Sequence, residues 1–203
     1  MQNFRRVAEA EVILAFLRGE VNSKRFGDAA RHAIVSEGGL ELIWNPDLES
    51  EGQNRAREQA LSQYRGWRNS ELFGDFPRDV EWHHGVLEPE ELERIRFIDY
   101  SYWNELSGGS RRPRDVRKTI AAGTLPEWLA ELGTDWCFEF AEQLAATGTT
   151  EDLIVMGTPD TSDLIVLEGH ARLTAIFVGG LQGTMTVQAY LGLSGELSQW
   201  DCF

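Results

Sequence analysis

Cysteine is scarce: Cys137 and Cys202 are the only two in 203 residues. That excludes a small disulfide-stapled scaffold and fits a reduced, cytoplasmic protein. No apolar run approaches the ~20 residues of a membrane span. Met1 to Arg6 contains two arginines, but Glu9 and Glu11 interrupt the apolar stretch beyond them, so no secretory segment is predicted. Basic residues are outnumbered, 19 against 33 acidic ones, for a formal net charge of −14. Neutralising phosphates supplies most non-specific affinity for nucleic acid, so duplex DNA is not an expected partner. The sequence also lacks a Walker loop, a paired CxxC, a Ser/His/Asp elbow, an internal repeat and any heptad or low-complexity tract.

What is present is enough for a packed core: 42% hydrophobic and 10% aromatic residues. The length allows one large domain, or a helical region fused to a compact α/β domain. The pattern favours the second, with a helical region over 1–78 and an α/β domain over 79–203. Residues 4–19 place Val12, Ile13, Phe16 and Leu17 on one helical stripe. Asn22 or Ser23 can cap a second helix carrying Phe26, Ala30, Ala33 and Ile34, stopped by Gly38-Gly39. Leu40 to Trp44 reads as a short strand or buried connector, and Ala56, Ala60, Leu61 and Tyr64 make a third helix ending near Gly66. The aromatic loop Leu72 to Pro77 marks the boundary.

Beyond it, Val80 to Trp82 opens a strand and Pro89 starts a short helix. Arg96 to Tyr102 alternates as a strand, and a helix carrying Val116 and Ile120 ends at Gly123. One or two helices occupy 126–146. Leu153 to Met156 and Leu164 to Leu167 are buried-type strands, and Thr184 to Leu191 is a last one. His83 and His84 are expected to be loop histidines, since adjacent side chains rarely share a metal ion.

The chemistry concentrates in Glu168-Gly-His-Ala-Arg172, between the strand ending at Leu167 and a short helix stopped by Gly179-Gly180. A strand that turns through glycine into a helix aims free N–H groups and the helix dipole at one point, which suits an anion. Arg172 in the first turn can add a forked guanidinium. The bland alternative is an ordinary strand–turn–helix with a surface arginine, a satisfied histidine and Glu168 as a cap acid. Arg111, Arg112, Arg114, Arg117 and Lys118 form the one basic cluster, after a Gly-Gly turn at a helix start. Its alternative is a solvated face paired with neighbouring acids.

These two stretches carry a resemblance. Glu168 to Ala175 resembles the signature turn of the ParB/sulfiredoxin-like superfamily, and Arg112-Pro-Arg-Asp with Thr119 to Gly123 resembles its other box. The similarity covers about 95–195, with extra sequence between Gly123 and Leu153. It implies a ParB/sulfiredoxin-like domain with a small mixed sheet, holding the phosphates of ATP or CTP with Mg²⁺ on Arg112 or Arg114 and on Gly169, His170 and Arg172. It further implies Glu168 and His170 as the acid–base pair of phosphoryl transfer or nucleotide hydrolysis. The alternatives are a non-catalytic regulatory module that contacts a protein partner, and a DNA-acting nuclease or segregation protein. Two departures matter. His170 stands where sulfiredoxins need a cysteine, which excludes that activity, and Ala171 removes a phosphate donor that many relatives carry.

Overall fold

The computed structural model describes residues 4–23, 26–69 and 73–203. The chain is an α/β protein, built among the described residues on one six-stranded mixed sheet. In chain order its strands are β1 (Arg5–Arg6), β2 (Glu81–Leu87), β3 (Ile95–Phe97), β4 (Leu153–Gly157), β5 (Leu164–Glu168) and β6 (Val187–Leu193). Across the sheet they run β1-β2-β6-β4-β5-β3, with β4 parallel to β6, β3 parallel to β5, and the other pairs antiparallel.

The central strands explain their own sequence. β4 and β5 are continuous apolar runs because both faces of the sheet are covered. Leu153, Val155, Leu164 and Val166 point into one core, and Ile154, Met156, Ile165 and Leu167 into the other. The second core is closed by α1 (Glu9–Val21), α2 (Gly27–Ser36), α3 (Glu41–Trp44) and α4 (Glu51–Arg65), together with Trp67, Phe73, Phe76 and the tail residues Leu197 and Trp200. On the opposite face lie α7 (Val116–Ala122), α8 (Glu127–Leu132), α9 (Asp135–Thr147) and α10 (His170–Val178). Two short helices flank β3, α5 (Pro89–Leu92) and α6 (Ser101–Leu106).

Several expected elements change. The helix expected from residue 4 begins at Glu9. Arg5 and Arg6 instead pair with His84 and His83 along the edge of β2, and Arg5 reaches Glu11 at 2.8 Å. His83 and His84 therefore sit in a strand, not a loop. Leu40 to Trp44 holds a helical turn rather than a strand, with buried Leu42 and Ile43 facing α1 and α4. The strand expected over 96–102 stops at Phe97. Asn104 donates to Asp99 at 2.7 Å, and that side-chain bond belongs to the start of α6. Leu72 of the aromatic loop lies outside the described residues; Phe73 and Phe76 pack on Trp67 and Trp200. No described helix is long and apolar enough to cross a membrane.

The helical face has a buried pin of its own. Arg57 on α4 is fully buried, and its guanidinium donates to the carbonyls of Leu42 at 3.0 Å and Asp47 at 3.1 Å. A buried cation without those acceptors is costly. Arg57→Met is expected to loosen the loop before α4, read as faster amide exchange at Asp47 to Glu49.

Candidate functional site

The site starts with a backbone requirement. β5 delivers Glu168, and the chain then reverses through Gly169, whose φ of 97° lies in the left-handed region. A Cβ there would meet Leu153 Cδ2 at 2.5 Å, so the turn needs glycine for conformation and for space. α10 begins at His170, with no side-chain cap bond at its N-terminus.

Arg172, in the first turn, folds back onto acids. Its Nη2 donates to Glu168 Oε1 at 3.0 Å and to the Asp152 carbonyl at 3.2 Å, and Nη1 donates to Glu151 Oε2 at 3.2 Å. The arginine and Glu168 side chains are only 11% and 16% exposed. Glu168 Oε2 also accepts the Gly169 N–H. Both ends of this pair are thus engaged within the protein.

α1 closes the assembly from the other side. A Cβ at Gly19 would lie 2.9 Å from Glu168 Oε1, so a glycine inside the helix makes room for the Glu168 and Arg172 side chains. Asn22 donates to Glu151 at 3.0 Å. Glu20, 4% exposed, accepts from Tyr64 Oη at 2.7 Å and Arg65 Nε at 2.9 Å. Burial, and then the Glu168 charge, push the Glu20 carboxyl above its ordinary range, although the Arg65 and Tyr64 contacts oppose them. Burial likewise raises the Tyr64 phenol.

His170 takes another direction. Its ring stacks on Trp103 at 4.9 Å and on Phe97 at 6.0 Å, and its Nε2 is buried with no hydrogen-bond partner. Burial lowers its pKa to about 4, against an opposing pull from Glu168 and with Arg65 and Arg172 lowering it further. The imidazole is therefore neutral at pH 7. A base with a depressed folded pKa binds fewer protons folded than unfolded between about 4 and 6.5, so its contribution is complete above pH 6.5 and is lost as pH falls towards 4. Glu20, with a raised pKa, has the opposite slope. The urea midpoint of the parent is expected to fall more steeply from pH 6.5 to 4.5 than that of His170→Gln; equal slopes would contradict the buried, neutral assignment.

The basic segment packs alongside α10, but its arginine side chains are held by groups other than Glu168. Arg112 Nη1 donates to the Glu93 carbonyl at 3.5 Å, and Arg114 pairs with the Glu93 carboxylate at 3.4 Å. Glu93 precedes Ile95, which pairs with Leu164 at the start of β5, whereas Glu168 ends that strand. Four residues of extended chain separate those ends by about 13 Å. Arg111 instead holds the carbonyls of Phe97 at 3.0 Å and Phe203 at 2.6 Å, tying the tail to β3. Arg117 donates to the Val178 carbonyl at 3.3 Å, at the far end of α10.

Beside the Arg172 clamp lies a cleft of about 450 Å³, with Leu14, Arg18, Trp44, Glu151, Asp152 and Tyr190 among its walls. Arg18 is held by the Ile43 carbonyl at 3.0 Å, and Asp152 by His84 at 2.8 Å. Among the described residues no group of three or more His, Cys, Asp and Glu is placed to hold a metal ion.

Sequence reasoning singled out Glu168, Gly169, His170 and Arg172 but not Gly19, Glu20 and Glu151. Gly19 was the available signal, because an interior helix glycine costs roughly 1 kcal/mol against alanine and so marks a close approach. Comparison with known proteins gave no match: no family model, curated protein or solved structure is significantly similar to this chain.

Proposed function

We propose that this chain is a non-catalytic binding module that acts through contact with a partner protein. In this proposal the Glu168-to-Arg172 turn serves as a joint between β5 and α10, with α1 packed against it. The observation that carries it is the engagement of Arg172 by three acceptors on Glu168, Glu151 and Asp152. A triphosphate at this turn would have to displace those carboxylates and would meet their charge, which costs more in a partly buried site than in water. Neutral His170 offers no charge-assisted donor. The two buried free cysteines fit a reduced compartment such as the cytoplasm.

One observation favours the nucleotide alternative, namely ATP or CTP with Mg²⁺ as in the ParB/sulfiredoxin-like resemblance. The first turn of α10 is uncapped by any side chain and comes directly after a left-handed glycine. Glu168 would then be the base beside the phosphates. A thermal-shift and turnover screen separates the two. A nucleotide at about a hundredfold its dissociation constant adds roughly 2.7 kcal/mol. The module reading expects no shift and no hydrolysis with millimolar ATP or CTP and Mg²⁺; a clear shift, abolished in Gly169→Ala or accompanied by turnover, would replace it with the nucleotide reading.

A further inference from the structure

Between Thr119 and Ala171 the chain contains ten carboxylates and not one lysine or arginine. This stretch includes α8 and α9, which cover the sheet on the side away from α1. On α8, Trp128 and Leu132 are one helical turn apart and 42% and 66% exposed, while Leu129 of the same helix is fully buried. Glu127 and Glu131 form a parallel exposed pair beside them. Trp128 continues into Tyr102 of α6, with ring centroids 6.2 Å apart, and Phe138 of α9 is also exposed. The nearest cations along the chain, Arg117 and Lys118, sit one helix earlier, on α7.

An exposed tryptophan–leucine pair bordered by carboxylates is not an ordinary solvated surface. Large exposed apolar side chains are common singly, but contiguous ones mark contact surfaces, and tryptophan and tyrosine are the usual anchors. The charge selects the occupant. An anionic membrane or a nucleic acid would be repelled. A second copy would bring the same carboxylates against their like, in a chain whose net charge is −14. We propose that the Trp128–Leu132 face of α8 docks a cationic amphipathic segment of a partner protein. Apolar side chains of that segment would cover Trp128 and Leu132, and its lysines or arginines would meet Glu127 and Glu131. This rests on the binding-module reading and names the partner class and its surface.

The probe is a synthetic helical peptide with leucines at i, i+3, i+4 and i+7 and lysine elsewhere. A second peptide carries serine for each leucine. Binding to the full chain is followed by fluorescence anisotropy, and the footprint by amide chemical shifts. The expected result is saturable binding of the leucine peptide, at least tenfold weaker for the serine peptide. Leu132→Ser should weaken it about tenfold, and Glu127→Lys with Glu131→Lys at least as much. Shifts should centre on α8. Leu132 is mostly exposed, so the fold should survive its replacement, and an unchanged melting temperature checks this. Equal affinity for the two peptides, indifference to Leu132→Ser, a footprint elsewhere, or concentration-dependent self-association through α8 would overturn the proposal. None of those outcomes touches the nucleotide screen, so the two proposals fail separately.

Discussion

Arg172→Ala is expected to destabilise the folded chain by about 3–5 kcal/mol, the scale for removing one partner of a buried ion pair. Glu168 would be left 16% exposed, without its cation. It would also sit near Glu20, whose carboxyl is already raised by burial and by the Glu168 charge. The Glu151 arm adds less, because that carboxylate is about half exposed and screened by water. Arg172→Lys should recover only part of the loss, since one ammonium cannot span Glu168, Glu151 and the Asp152 carbonyl as the guanidinium fork does. Urea denaturation of the parent and both variants reads this directly. An arginine held for a ligand predicts the contrary: unchanged or improved stability in the free protein, with only affinity lost.

Gly169→Ala is expected to cost about 2–4 kcal/mol. Roughly 1–2 kcal/mol of this comes from forcing an L-residue into the left-handed region. The rest comes from overpacking, because the new Cβ would lie 2.5 Å from Leu153 Cδ2, and that leucine is fully buried in β4 with little room to yield. Gly39→Ala is a fitting control. Its φ is also positive, at 100°, but a Cβ there meets nothing within 4 Å, so only the conformational part should appear. Thermal or urea unfolding of the two variants measures the difference, and equal losses would place the whole cost in the backbone.

The sheet was legible because its central strands are buried on both faces. Leu153 to Met156 and Leu164 to Leu167 had to be continuous apolar runs, and that pattern is visible without coordinates. Glycines in left-handed caps made Gly66 and Gly123 equally readable as helix ends. Edges were less legible. Arg5–Arg6 becomes a strand only because β2 offers a free edge, a fact of tertiary pairing that two arginines do not announce. The turn was singled out by its strand–glycine–helix pattern and by the resemblance, but the partners of its side chains were not. Glu151 and Gly19 reach Arg172 and Glu168 from distant parts of the sequence, and an arginine that faces two carboxylates looks, in one dimension, like an arginine waiting for a phosphate. Arg112 and Arg114 show the same limit, since their Glu93 contacts depend on the turn at Pro113–Asp115 packing beside β3.

The most direct test of the joint is a double-mutant cycle on Arg172 and Glu168, using Arg172→Met, Glu168→Gln and the double variant, with unfolding free energy as the readout. Arg172→Met strands the Glu168 carboxylate and Glu168→Gln leaves Arg172 only its Glu151 and Asp152 acceptors, whereas the double change removes both charges, so the losses should not add. Residues in one ion-pair network couple by about 0.5–3 kcal/mol, and with the 3.0 Å contact largely buried the upper half of that range is expected. Additive losses, with a coupling near zero, would mean that the pair does not hold α10 to β5, and would contradict the structural role assigned to this turn.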